Sequence, residues 1–254
     1  MRSISREAEL RAYYETLFRT WGCQHWWPAR NRFEVIVGAY LTQNTSWANV
    51  ERALRSLKKA GFLTIDGIRR IPLPQLESLI RSSGYFRQKA RRLKIFVQFL
   101  DEKYGGSLNR MFARPTKQLR EELLALHGVG AETADSILLY AGQHPVFVVD
   151  AYTRRILDRH NILPSDAPYA EIRALFERAL SDRALSKIDF DMNAGKASVT
   201  AHPPSAMSLA KRSPQAQVFN DMHGMIVGVG KRYCLKSQPK CDECPWQKFL
   251  PNLK

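Results

Sequence analysis

Two glycines, a carboxylate and a group of cysteines are the residues of this 254-residue chain whose types and spacing could do chemistry. Gly128 and Gly130 stand in Leu126-His127-Gly128-Val129-Gly130-Ala131-Glu132-Thr133-Ala134. Asp150 follows in Val148-Val149-Asp150-Ala151-Tyr152, twenty residues after the second glycine. Both glycines can take backbone angles closed to other residues, so a tight turn here can aim several N–H groups outward with no side chain in the way. Opening a helix whose N-terminus is partly positive, such a turn suits a phosphate. Its candidate contacts are His127, Gly128, Val129, Gly130, Ala131 and Thr133, although Leu-x-Gly-x-Gly alone serves a plain structural turn equally well. Asp150 can stabilise a developing cation and orient water, or cap a helix that begins at Ala151. Cys234, Cys241 and Cys244 crowd near the C-terminus and, with Cys23, do not resemble a secreted disulfide framework. They point to a metal or cluster site.

Helices must position these residues. Glu121 to Leu126 and Ala134 to Ala141 read as the helices on either side of the turn. Leu10, Tyr13, Tyr14, Leu17, Phe18 and Trp21 recur at three- and four-residue spacing and predict an amphipathic helix over 6–22. Another starts at Phe33, capped by Asn31. Further helical periods cover 47–59, 65–71, 73–82, 88–103, 117–126 and 151–160, punctuated by Gly61, Gly84, Gly105-Gly106 and Pro115, with no convincing alternating strand. The expected fold is all-α. At this length the chain can form one large or two modest domains. Lys and Arg number 39 against 24 Asp and Glu, and the net charge of +15 predicts affinity for a polyanion, nucleic acid first. A membrane surface is the rival, but no long apolar run or signal peptide supports it.

With Asp150 included, the hairpin segment resembles the helix-hairpin-helix (HhH-GPD) base-excision DNA glycosylases, the superfamily of endonuclease III. Leu41-Thr42-Gln43-Asn44-Thr45 resembles the family's early Leu-(Ser/Thr)-x-Gln-x-Thr segment. Ser83-Gly84-Tyr85-Phe86-Arg87-Gln88-Lys89-Ala90 resembles its Gly-x-x-x-x-Lys-Ala run, and the C-terminus carries most of its iron–sulfur motif. The resemblance covers roughly residues 30 to 160 and 215 to 245, in family order. In endonuclease III the residue two after the second hairpin glycine is the lysine that attacks the sugar; here it is Glu132, and a carboxylate cannot form a Schiff base. Gly-x-Glu-(Ser/Thr)-Ala-Asp resembles instead the 3-methyladenine glycosylase III branch, as do Trp26-Trp27-Pro28 and Trp47.

The resemblance implies a two-domain fold with the active site in the interdomain cleft: residues 34–147 as one helical domain, residues 1–33 and 148–254 as the other. Residues 186–214 would be a loop-like insertion whose basic end, Lys211-Arg212, could reach DNA. It implies a glycosylase that flips out and hydrolyses alkylated purines from damaged double-stranded DNA, leaves an abasic site and lacks lyase activity. Asp150 would be the catalytic carboxylate, Gln43 and Asn44 would supply the residue that enters the gap, and Trp26, Trp27 and Trp47 would offer faces for a cationic base. Glu132 is either a pocket residue or an exposed residue favoured by the helix dipole. Mismatched or deaminated bases, and DNA binding without catalysis, are the alternatives. Cys234, Cys241 and Cys244 match the family's Cys-x6-Cys-x2-Cys, but the fourth position is Leu250. A [4Fe–4S] cluster with an outside ligand, zinc held with His223, a remote contribution from Cys23, or no metal all remain open. A cytoplasmic monomer, nucleoid-associated if bacterial, is expected.

Overall fold

The computed structural model describes residues 5–181 and 203–251, and every regular element among them is helical. In chain order these are α1 (Arg6–Trp21), α2 (Arg32–Leu41), α3 (Trp47–Lys59), α4 (Ile65–Arg70), α5 (Leu73–Leu79), α6 (Phe86–Tyr104), α7 (Leu108–Phe112) and α8 (Thr116–Leu124). Then come α9 (Ala131–Ser136), running on into a π-turn at Ile137–Ala141, α10 (Ala151–Arg159), α11 (Tyr169–Ala179) and α12 (Pro214–Arg232). None of them is long and apolar enough to cross a membrane.

The chain divides into two compact units, Ala29–His144 and Met1–Pro28 with Pro145–Lys254. The breaks fall beside Pro28 and Pro145, which lack the N–H that a continuing helix would use. The residues chosen from sequence, Phe33 and Val148, lie a few positions further on.

In Ala29–His144, α2 is apolar nearly all round and is buried from Phe33 to Leu41 except at Glu34. A helix without a polar face belongs at the centre, and α2 packs against the π-turn, α3 and α6. Asn31 caps it, its side chain accepting from the Glu34 N–H at 2.9 Å. The second hairpin helix begins at Ala131, three residues before the apolar period that marks it in the sequence. Its first turn is small and polar, so periodicity cannot register it.

In the other unit, α1 packs on α11 and α10 on α12. Tyr13 anchors the core, with Trp246 and Phe249 rings at 4.8 and 4.7 Å, and Phe147 stacks on Phe176 at 4.1 Å. The expected insertion at 186–214 lies outside the described residues as far as His202. From Pro203 the chain forms a turn closed by Ser205 and Ser208, each accepting the other's N–H at its hydroxyl, at 2.8 and 3.2 Å. Arg212 donates to the Met207 carbonyl at 2.8 Å and the Ser208 carbonyl at 3.2 Å. It thus helps close this turn, while the neighbouring Lys211 is exposed.

Candidate active site and nucleic-acid interface

In the Ala29–His144 unit the hairpin between α8 and α9 is held from both sides. Arg120 on α8 makes a two-pronged ion pair with Asp135 on α9, Nε to Oδ1 at 2.6 Å and Nη2 to Oδ2 at 3.1 Å, and Asp135 is fully buried. A planar guanidinium matched to a carboxylate fixes orientation as well as distance. Within the turn the Val129 N–H donates to the Leu126 carbonyl at 3.0 Å.

The two glycines serve different needs. Gly128 sits at φ +81°, and a Cβ there would lie 2.0 Å from Arg92 Nε, so both backbone angle and space demand glycine. Gly130 has φ −90° and ψ 177° as N-cap of α9, an extended conformation open to any residue, so the strain argument fails at this position. A Cβ on Gly130 would meet nothing within 4 Å, which leaves its exposed face clear for an approaching ligand.

His127 is exposed and Ala131 half-exposed, whereas the side chains of Val129 and Thr133 are buried. Thr133 gives no outward hydroxyl: its Oγ1 accepts from Gln43 Nε2 at 2.9 Å. Gln43 Nε2 also donates to the Gly128 carbonyl at 3.1 Å, and Arg92 Nη1 donates to Gln43 Oε1 at 2.6 Å. Of the two residues expected to enter a duplex, Gln43 is therefore tied to the hairpin. Asn44 is exposed, at φ +53°. Glu132 is exposed in the first turn of α9, where the helix dipole favours a carboxylate. Trp47 opens α3 half-buried, its indole N–H donating to Glu51 Oε1 at 2.9 Å.

In the other unit Asp150 is the N-cap of α10. Its Oδ1 accepts from the Thr153 N–H at 2.8 Å and the Thr153 hydroxyl at 2.9 Å, while Oδ2 lies 3.7 Å from His223 Nε2 on α12. Capping, one of the two roles open from sequence, thus occupies one carboxylate oxygen and leaves the other to face His223. Burial pushes the His223 imidazole below its ordinary value, against the pull of the Asp150 charge, so it stays neutral at neutral pH. The sequence reading offered His223 only as a zinc ligand; the structure sets it against Asp150 and the Phe147 ring instead.

Trp26 and Trp27 lie in a buried turn, as Pro28 implied, with ring centroids 5.7 Å apart. This turn rests on α12. A Cβ on Gly224 would stand 2.9 Å from Gln24 Cβ and 3.2 Å from Trp26 Cβ, and the Gln24 N–H donates to Asp221 Oδ1 at 2.7 Å. Burial raises the Asp221 carboxyl to about 6, with bonds from Gln217 and Gln24 opposing. The ammonium of Lys231, two turns beyond Gly224, is 6.0 Å from the Trp26 ring.

Cys234, Cys241 and Cys244 line one cavity together with Arg159, His160 and Leu250. Leu250 thus stands at the fourth position in space as it does in sequence. His160 shares this lining, with its Nδ1 2.6 Å from the Tyr13 hydroxyl. Neither His223 nor Cys23 joins this lining; the Cys23 thiol lies beside Asp221, where burial raises it to about 11. Among the described residues no three Cys, His, Asp or Glu side chains converge as ligands for one ion. Three thiols that surround a cavity without converging fit a multi-iron group, which takes one thiolate on each of several irons, better than a single zinc. Arg159 Nη1, 3.2 Å from Cys234 Sγ, supplies positive charge there.

A capped carboxylate, a glycine hairpin clamped between two helices and a rim of three thiols are the parts of a known class. The family described as HhH-GPD superfamily base excision DNA repair protein matches residues 37–182, more than half of the chain, and the chain belongs to it. It is 38% identical over 237 residues, 93% of each chain, to a Methanocaldococcus jannaschii protein named "Putative DNA repair glycosylase". It is 27% identical over 220 residues to endonuclease III of Thermotoga maritima, covering 87% of this chain and 81% of that one. Among solved structures it is similar to the H. pylori 3-methyladenine DNA glycosylase bound to 1,N6-ethenoadenine, with TM-score 0.68 and 27% identity over 90% of this chain and 98% of the other. An endonuclease III–DNA complex shares the fold at TM-score 0.67 and 23% identity, over 98% and 96%.

Proposed function

We propose that this DNA glycosylase of the HhH-GPD family releases positively charged alkylated purines, 3-methyladenine and 7-methylguanine, from duplex DNA as a monomer and leaves the strand uncut. The observation that carries the reading is Glu132 at the second position of α9, where endonuclease III has its amine. Two lysines on α6 do not replace it. Lys89 Nζ donates to the Leu41 and Ser83 carbonyls at 2.9 and 2.7 Å, and Lys94 Nζ to the Arg69 and Ile71 carbonyls at 2.9 and 2.6 Å. Both amines are spent on backbone, so hydrolysis is left to a carboxylate.

The hairpin N–H groups hold a phosphate while the damaged nucleotide leaves the stack, and exposed Asn44 fills the gap. At least one of Trp26, Trp27 and Trp47 supplies an aromatic face to a base whose positive charge strengthens the contact. Alkylation has already made the base a good leaving group, so the remaining task is to stabilise an oxocarbenium-like sugar and place water. Asp150 does both through its uncommitted oxygen. Neutral His223 helps by what it lacks: an imidazolium at that distance would cancel the charge the sugar needs. Similarity to the H. pylori 3-methyladenine glycosylase supports the substrate class. Cys234, Cys241 and Cys244 would hold an iron–sulfur cluster whose fourth ligand comes from outside the motif, and bound there it would supply a cross-link for the C-terminal segment.

Single-turnover base release from duplexes carrying 3-methyladenine, 7-methylguanine, uracil or hypoxanthine tests this, each with and without alkali. Breaks only after alkali, on the methylated duplexes, are expected. Breaks without alkali would show a lyase, release of uracil or hypoxanthine instead would shift the substrate class, and no release at all would leave a binding protein.

A further inference from the structure

In the loop after α2, Gln43 is hydrogen-bonded at both ends of its amide, to the hairpin through its nitrogen and to α6 through its oxygen. Its oxygen accepts from Arg92 at 2.6 Å, and its nitrogen donates to Gly128 O at 3.1 Å and Thr133 Oγ1 at 2.9 Å. Arg92 is itself wedged under the turn, in the space that a Cβ on Gly128 would need. Its Nε is buried and has no partner among the described residues, so Gln43 supplies much of what holds this guanidinium. One turn earlier on α6, Lys89 fastens the end of α2 by donating to the Leu41 carbonyl. Two cationic side chains of α6, Lys89 and Arg92, therefore hold the end of α2 and the second residue of the loop, while the next residue, Asn44, is left exposed.

We propose that Gln43 is a positioning residue that joins the loop after α2 to the hairpin through Arg92, and does not itself enter the duplex. To enter it, the amide would abandon three hydrogen bonds, one of them to a charged group, and strand the Thr133 hydroxyl and the Arg92 guanidinium. Held in place, it makes Asn44 and the hairpin N–H groups one surface, so the phosphate grip and the gap-filling residue arrive on the DNA in fixed register. This rests on duplex DNA being the ligand, not on which base is released.

The two roles leave opposite signatures. For Gln43→Leu, the positioning role predicts that affinity falls about 10-fold, or about 1.4 kcal/mol, for both an undamaged duplex and one carrying a tetrahydrofuran abasic analogue. The thermal midpoint is followed in parallel. A gap-filling Gln43 predicts instead that undamaged-duplex affinity is unchanged and that affinity falls for the abasic-analogue duplex alone, and that result would overturn the proposal. Thr133→Val provides the second reading: added to Gln43→Leu it should cost no further affinity, because the two share one hydrogen bond. Full additivity would sink the coupling; should the Gln43 variant be poorly folded, Thr133→Val and Arg92→Lys are each measured against wild type, and unchanged affinity in both would overturn the proposal. Both singles are expected to weaken binding to the two duplexes equally. The affinity arms need no base release, so failure of the glycosylase reading would remain distinguishable.

Discussion

Asp150→Asn separates the two jobs that one side chain holds. In the structure Oδ1 accepts both the Thr153 N–H and the Thr153 hydroxyl, and Oδ2 faces His223. Asparagine keeps a carbonyl oxygen for the first job and ranks with aspartate as an N-cap, so the variant should lose no more than about 0.5 kcal/mol of stability. What it lacks is charge. If the carboxylate stabilises a cationic sugar, its removal should cost on the order of 100- to 1000-fold in single-turnover base release, about 2.7–4 kcal/mol, the scale seen when one preorganised electrostatic partner is deleted. Asp150→Ala should show a similar rate loss but add about 0.5–2 kcal/mol of destabilisation from the missing cap. The assay pairs base release at saturating enzyme with urea denaturation and with affinity for an abasic-analogue duplex. Two results would refute the reasoning: an Asn variant retaining a tenth or more of the rate, or one destabilised as much as the Ala variant.

Other perturbations follow from the same geometry. Arg120→Leu removes the two-pronged partner of the buried Asp135 carboxylate and should cost about 3–5 kcal/mol in urea denaturation, whereas Arg120→Leu with Asp135→Leu should recover much of it; equal losses would mean that the pair does not clamp the hairpin. Asp221 is a carboxyl whose folded value, about 6, lies above its ordinary 3.8, so the fold holds its proton more tightly than the unfolded chain does. Its contribution is full below pH 3.8 and is lost as pH rises through about 6, by roughly 3 kcal/mol at most. Asp221→Asn should remove that slope between pH 4 and 6, and an unchanged slope would exclude the group as its source. Anaerobic reconstitution should give an iron- and sulfide-containing protein that loses iron in air, and Leu250→Cys should slow that loss; absence of iron and sulfide after reconstitution would count against the cluster.

Residues that act within one short segment could be read from the sequence. The hairpin, the N-cap at Asp150 and the turn at Trp26-Trp27-Pro28 are local: each follows from a glycine's freedom, a carboxylate before a helix or a proline after two large aromatics. The cysteine spacing is likewise local, and the three thiols line one cavity with Leu250. Pairings across the chain gave no such signal. Gln43 and Gly128 are 85 positions apart, and nothing local distinguishes a glutamine that braces a turn from one that enters DNA. His223 was the same problem in reverse: proximity in sequence to the cysteines suggested zinc, while helix α12 turns it toward a carboxylate far earlier in the chain.

Gly128 shows why such pairings govern the site even though its glycine was evident from the start. Its positive φ explains the residue type, and any hairpin of this shape would need it. The 2.0 Å approach of Arg92 to the absent Cβ is a separate demand, made by a residue of α6 that stands 36 positions earlier in the chain and meets the turn only through folding. A turn needing glycine solely for its backbone angle would tolerate alanine at a modest strain cost; one that also houses a guanidinium would not, because the methyl would displace Arg92 and release Gln43 with it. The shape of the hairpin is therefore a property of α6 and the loop after α2 as much as of the turn that the sequence displays.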